Sequence, residues 1–273
     1  MRVTIVDVFA ESRYAGNQLA VVHDAEQLDS ATMQSIAREM NFSETTFVLS
    51  HEGNRATVRI FTPDQELPFA GHPTVGTAWV LAGGTGTITL DLPAGPVPVV
   101  FEDGIGWMTP PPVQLKDTFE PSRAAALLGL PESALAPEYP LQFAEVGPKF
   151  VLIGLRDLES LRAIELNQAL YRQYQSEGYA IQCVFAFTED AYEPAADYAS
   201  RMFFYSAGFR EDPATGSANS AFAAYLLEHR GALGSVVVDQ GVEMRRPSRL
   251  YLRVQEPLQV GGRVIETLSG TLT

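Results

Sequence analysis

The chain has 273 residues, of which 46% are hydrophobic and 19% charged, enough for two ordinary domains or one large one. Lysine and arginine number 19 against 33 acids, a formal charge of −14, which argues against nucleic acid or an anionic membrane as partner. No apolar run approaches the ~20 residues of a membrane helix, and one cysteine, Cys183, excludes an intrachain disulfide or a cysteine-based zinc site.

Met1 leads straight into the β-branched Val3–Phe9 with no charged-then-apolar leader, and the expectation is a soluble cytoplasmic protein. Gly16-Asn17 turns into a second strand, Gln18–His23. Met33, Ile36, Ala37 and Met40 recur at helical spacing and predict an amphipathic helix over Ser30–Met40. After Asn41-Phe42-Ser43-Glu44 come strands over Thr45–Leu49 and Ala56–Phe61. The next helix, Thr74–Ala82, is apolar all round, which implies burial on every side. Three strands over Thr87–Thr109 lead to Pro110-Pro111-Pro112 and a polar stretch that reads as the end of a first half, residues 1–118.

The second half, 119–273, replays the first in outline. A short helix, Ser122–Leu128, and an irregular connection precede strands Leu141–Glu145 and Lys149–Leu155. A helix within Gln168–Ser176 and a strand, Ala180–Phe187, follow, the strand holding Cys183 as a buried thiol. Arg201–Tyr205 then leads to a second helix nearly free of charge, Thr215–His229. Val236–Asp239, Arg249–Val254 and two further β segments finish the chain. Strands outnumber helices, so regular β-α-β alternation is rejected. The expectation is two pseudo-symmetric α+β halves, each a curled sheet around a central helix, with a small-molecule site in the cleft between them.

One unit occurs twice. Arg59-Ile60-Phe61 precedes Glu66-Leu67-Pro68-Phe69-Ala70-Gly71-His72-Pro73, and Arg201-Met202-Phe203 precedes Glu211-Asp212-Pro213-Ala214-Thr215-Gly216-Ser217. Gly71 aligns with Gly216 and His72 with Ser217. Each copy ends in a helix start, where unpaired backbone N–H groups and the aligned peptide dipoles favour an anion. Pro73 suits a position that needs no N–H, and Ser217 reads as an N-cap. Two such starts suit a carboxylate-bearing substrate. Taken singly, the polar residues also have plain readings: Glu44 as a solvated acid, His72 as a turn histidine, Asp212 as a charge near a helix start. Asp64 and Glu66 near His72 have no metal-ligand spacing, so no metal is expected.

Gly16-Asn17, the run Ala37–Val48, Ile60-Phe61-Thr62-Pro63 with Glu66–Pro73, Ala214–Ala218, Gly241–Met244 and Arg246-Pro247-Ser248 resemble the phenazine-biosynthesis isomerase family (PhzF-like proteins) along essentially the whole chain. The resemblance implies the diaminopimelate-epimerase-like fold and a cofactor-independent isomerase, commonly a homodimer, that moves a proton within a small carboxylate. In the phenazine enzyme that substrate is trans-2,3-dihydro-3-hydroxyanthranilate. By position, Glu44 matches the family's acid/base glutamate, and His72, Asp212 and Ser217 match polar residues around the substrate, with Gly71 and Gly216 at the helix starts. The epimerase relatives carry a cysteine in each repeat where Ala70 and Thr215 stand here, so a two-thiol mechanism is excluded. A related epimerase or lyase using the same glutamate, and a metabolite-binding homologue without turnover, are the alternatives.

Overall fold

Helix Gly71–Ala82 is buried from Gly71 to Ala78, and an all-apolar helix of this kind demands a wall on every side. The computed structural model, which describes residues 1–205 and 209–273, supplies that wall as a curled sheet. The chain divides into Met1–Pro111 with Gln259–Thr273, and Pro112–Leu258. The expected boundary between 118 and 119 is thus corrected in two respects. The polar stretch after Pro112 contains a strand that pairs with the second unit, and the last two strands return to the first.

The first unit contains β1 (Arg2–Val8), β2 (Asn17–Val22), α1 (Ser30–Met40), β3 (Glu44–Glu52), β4 (Arg55–Phe61), β5 (Glu66–Leu67), α2 (Gly71–Ala82), β6 (Thr87–Leu92), β7 (Gly95–Glu102) and β8 (Ile105–Met108). Its last strands are β17 (Gln259–Gly262) and β18 (Val264–Thr271). The ladder runs β18-β1-β2-β3-β4-β6-β7-β8-β17, antiparallel except at β2–β3 and β4–β6. Only Arg263 separates the two outermost strands, so the sheet curls until those strands meet at that residue. Helix α2 touches β1, β2, β3, β6, β7, β8 and β18. Helix α1 packs outside, where Met33 and Ala37 join Val3, Val22, Phe47 and Phe61 in a separate core.

The second unit contains β9 (Gln114–Thr118), α3 (Pro121–Leu128), β10 (Gln142–Glu145), β11 (Lys149–Gly154), α4 (Leu158–Arg162), α5 (Gln168–Ser176), β12 (Cys183–Thr188) and β13 (Tyr198–Tyr205). It continues through β14 (Phe209–Asp212), α6 (Gly216–Arg230), β15 (Gly234–Gln240) and β16 (Ser248–Val254). Its ladder, β9-β10-β11-β12-β13-β15-β16, repeats the first unit's sequence of directions, with parallel pairs at β11–β12 and β13–β15. Helix α6 is buried from Gly216 to Ala223 and touches β9, β11 and β16.

The repeat reaches individual side chains. Arg59 grips both carboxylate oxygens of Glu66, at 2.7 and 2.6 Å, and lies 5.0 Å from the ring centre of Phe61. Arg201 grips Glu211 at 2.9 and 2.8 Å and lies 4.8 Å from Phe203. A Gln/Arg pair one helical turn apart then holds the chain just beyond the end of β4 in one unit and at the last residue of β13 in the other. Gln34 and Arg38 of α1 donate to the carbonyls of Thr62 and Pro63. Gln168 and Arg172 of α5 donate to the Tyr205 hydroxyl.

At Gly76, α2 lies close against the wall. A Cβ built there falls 2.6 Å from methyl carbons of both Leu19 and Val8, which are fully buried. Alanine is the better helix former by about 1 kcal/mol, but overpacking a tight core costs about 1–3 kcal/mol. Gly76→Ala is therefore expected to lower the denaturant midpoint at constant m-value, and a raised midpoint would show that the wall yields freely.

Candidate active site

Gly16 adopts φ +68°, and a Cβ there would sit 2.4 Å from the Val8 carbonyl oxygen, so only glycine makes this turn without strain. The turn delivers Asn17 to the start of β2 with 1% of its surface exposed. Helix α1 closes at Asn41 in the left-handed region, and the chain enters β3 at Glu44, paired in parallel with Leu19 of β2. Asn17 and Glu44 therefore lie near the same end of adjacent parallel strands.

His72, the second residue of α2, meets them there. Its Nδ1 is 3.2 Å from Asn17 Nδ2 and 3.5 Å from Glu44 Oε2. The Asn17 amide and the Glu44 carboxylate thus both approach Nδ1. Burial pushes the imidazole down to about 3, and only a backbone contact with Gln18 opposes this. The ring is thus neutral near pH 7, and its approach to the Glu44 carboxylate is a polar contact rather than an ion pair. Glu44 keeps 15% of its side chain exposed.

The second unit builds a different constellation at its own central helix start. Thr215, at the N-cap position of α6, donates its hydroxyl to Asp212 Oδ2 at 2.5 Å. Gln240, at the end of β15, donates to that hydroxyl at 3.1 Å and to the Asp212 carbonyl at 2.9 Å. Its amide oxygen accepts from the Thr215 N–H at 3.3 Å and from Asn219 Nδ2 at 3.1 Å. Asp212, Thr215, Asn219 and Gln240 are all buried.

Strand pairing converts the sequence repeat into residue-by-residue equivalence. Phe61 pairs with Glu66 and Phe203 with Glu211. From those anchors the two segments run without a gap. Leu67 answers Asp212, Ala70 answers Thr215, Gly71 answers Gly216 and His72 answers Ser217. Across the sheet, Thr45 pairs with Phe61 and Val184 with Phe203, so Glu44 answers Cys183. Thr57 pairs with Asp91 and Ala199 with Asp239, so Leu92 answers Gln240.

Glu44 and His72 are thus brought together in the first unit, and Asp212, Gly216 and Ser217 lie along one turn and helix start in the second. Both central helices begin earlier than or beside their expected starts, at Gly71 and Gly216. Ser217 is consequently the second residue of α6 and not its cap, a position that Thr215 holds. Asn17, Thr215 and Gln240 had no role expected from the sequence. For Asn17 the available signal was its place after an obligatory glycine. For Gln240, 25 residues beyond Thr215, pattern and spacing carried none. A cavity of about 440 Å³ in the second unit is lined by Lys116, Lys149, Phe143 and Tyr179, among others, and contains none of the expected site residues. Among the described residues, no group of three or more His, Cys, Asp or Glu side chains is placed to hold a metal ion.

The depressed His72 pKa has a signed consequence for stability. Between pH 6.5 and about 3 the unfolded chain takes up a proton at His72 that the folded chain refuses, so stability is lost as the pH falls through 6.5. Moving a protonation equilibrium by one pH unit is worth about 1.4 kcal/mol. His72→Gln should flatten the acid limb of a stability–pH curve measured by urea unfolding, and an acid limb of unchanged slope would place the protonation elsewhere.

Comparison with known proteins agrees with this architecture. The family model described as "Phenazine biosynthesis-like protein" matches residues 6–270. A trans-2,3-dihydro-3-hydroxyanthranilate isomerase of Pseudomonas aeruginosa is 36% identical over 264 residues, covering 93% of this chain and 90% of that one. A PhzF-family phenazine biosynthesis protein of Bacillus anthracis superposes with TM-score 0.88 at 25% identity, covering 100% and 99% of the two chains. A hydroxyproline epimerase from Agrobacterium vitis superposes with TM-score 0.63 at 12% identity over 99% of this chain and 91% of that one, a likeness of fold alone. The duplicated curled sheets are those of the diaminopimelate-epimerase-like fold, and the chain belongs to the phenazine-biosynthesis-like (PhzF) family, as one of its isomerases.

Proposed function

We propose that this isomerase transfers a proton within a small unsaturated carboxylic acid without a cofactor, with Glu44 as the single acid/base group. The observation that carries the reading is the Glu44 carboxylate beside a buried, neutral His72 that Asn17 also contacts. Glu44 takes a proton from an activated carbon, the electron pair spreads into the unsaturated system, and Glu44 returns a proton to another carbon. A neutral imidazole assists by hydrogen bonding without pairing off the carboxylate that must act as base. In the second unit, Asp212 contributes hydrogen bonding to the substrate. N–H groups at a helix start, Gly71 in the first unit and Gly216 and Ser217 in the second, suit its carboxylate, since helix starts favour anions.

Trans-2,3-dihydro-3-hydroxyanthranilate is the proposed substrate, on the strength of relatives named for its isomerisation. Neither helix start offers a thiol, because Ala70 and Thr215 occupy the two equivalent places, and this speaks against two-base epimerisation. The same reading has the protein as a cytoplasmic homodimer, and light scattering on the purified chain measures the assembly.

Turnover of this substrate and solvent deuterium uptake, followed by NMR, test the assignment. Glu44→Gln should retain the fold and ligand affinity while the rate falls about 10²–10⁴-fold, the usual value of general acid–base catalysis. A folded Glu44→Gln protein with near wild-type turnover would sink the assignment. Cys183→Ser should leave the rate within about twofold, well inside the effect of losing one acid/base group. Loss of activity in that variant, with the fold retained, would implicate a thiol and overturn the single-carboxylate reading.

A further inference from the structure

Gln240 is fully buried, and its amide is fully used. Its two N–H bonds and its carbonyl oxygen make four hydrogen bonds, every one to residues 212–219. Such an amide has no spare donor and no freedom to turn. The Thr215 hydroxyl accepts from Gln240 Nε2 and has one proton left, which points at Asp212 Oδ2. The chain of donors therefore has a fixed direction, from the Gln240 amide through the Thr215 hydroxyl to the Asp212 carboxylate. Close approach of the backbone makes this possible. Gly241 adopts φ +76°, and a Cβ there would fall 2.5 Å from the carbonyl oxygens of both Pro213 and Arg246.

A buried network of this kind has an ordinary explanation, namely that it caps α6 and holds the turn. The repeat supplies the control for that explanation. At the three equivalent places the first unit has Leu67, Ala70 and Leu92, and there the same turn leads into the same kind of buried helix. Even the bond from the fourth helical residue back to the capping carbonyl survives, made by Thr74 to Ala70 in one unit and by Asn219 to Thr215 in the other. The fold is thus built at these positions without Asp212, Thr215 or Gln240, although burying unsatisfied polar groups is costly.

We propose that Gln240 is a positioning residue for the isomerase reaction, acting through the Thr215 hydroxyl to fix the orientation of the Asp212 carboxylate toward substrate. This rests on the proposed role of Asp212 and adds the two residues that aim it. Neither Gln240 nor Thr215 touches the reacting atoms in this scheme. Their contribution is geometric, and small misplacements of an acting group are expensive in rate.

The test compares Gln240→Leu, which installs the first unit's residue, with Thr215→Val, Thr215→Ser and Asp212→Asn, using trans-2,3-dihydro-3-hydroxyanthranilate. Gln240→Leu and Thr215→Val should each lower kcat about 10–100-fold with a smaller change in KM, and Thr215→Ser should recover most of the rate that valine loses. In an Asp212→Asn background, Gln240→Leu should cost little more, because the group it aims is already disabled. Asp212→Asn impaired with folded Gln240→Leu and Thr215→Val both near wild type overturns the relay and leaves the role of Asp212 standing. Asp212→Asn with full activity overturns that role and this proposal together. Should Gln240→Leu fail to fold, the valine–serine pair at Thr215 decides alone. Crystal structures of Thr215→Val and Gln240→Leu need no substrate, and an Asp212 carboxylate in its original orientation in both also overturns the relay.

Discussion

A helix with no polar face cannot lie on a sheet; it must be enclosed by one. That constraint, imposed by Gly71–Ala82 and again by Gly216–Arg230, shapes the rest of the molecule. In the first unit it forces nine strands to curl until β17 and β18 meet at Arg263, and it places the amphipathic helix α1 outside the wall. Because each central helix must enter its sheet, its first turn stands at the entrance with N–H groups that the helix itself cannot satisfy. Polar side chains lie at those helix starts, His72 in one unit and Asp212, Thr215 and Ser217 in the other.

The two units share a frame and differ in what the frame carries. The Arg–Glu clamps stacked on phenylalanine and the Gln/Arg hooks on the crossover helices occur in both, so they belong to the architecture. The polar groups at the helix entrances do not repeat. Glu44 answers Cys183, His72 answers Ser217, and Asp212, Thr215 and Gln240 answer Leu67, Ala70 and Leu92. One copy has specialised in a carboxylate beside a neutral ring, the other in a directed chain of hydrogen bonds. An internal repeat is unusually informative in this respect, since each unit shows which residues the other's fold does without.

Burial sets the electrostatic character of the first constellation. An imidazole taken wholly out of water resists protonation, and here nothing strong enough opposes that effect. Glu44 consequently faces a dipole and not a cation. In the proposed reaction the carboxylate acts as base, and a neutral ring does not pair it off as a cation would.

Much of this was legible in the chain itself. The hydrophobic pattern of Thr74–Ala82 and Thr215–His229 demanded enclosure, the spacing of Met33, Ile36, Ala37 and Met40 gave α1 its bounds, and Gly71 and Gly216 marked the repeat because local pattern and turn chemistry act over a few residues. The short strands β5 and β14 and the strand β9 were not legible, since two to five residues carry too little periodicity to separate from loop. Nor was the return of Gln259–Thr273 to the first unit, which depends on a hydrogen-bonded ladder to a strand more than 250 residues away. The meeting of Asn17 with His72, and of Gln240 with Thr215, was likewise decided only in three dimensions. Such pairs join residues 55 and 25 apart in the chain, and their hydrogen bonds follow from strand register, which the sequence expresses only through the packing of the whole sheet.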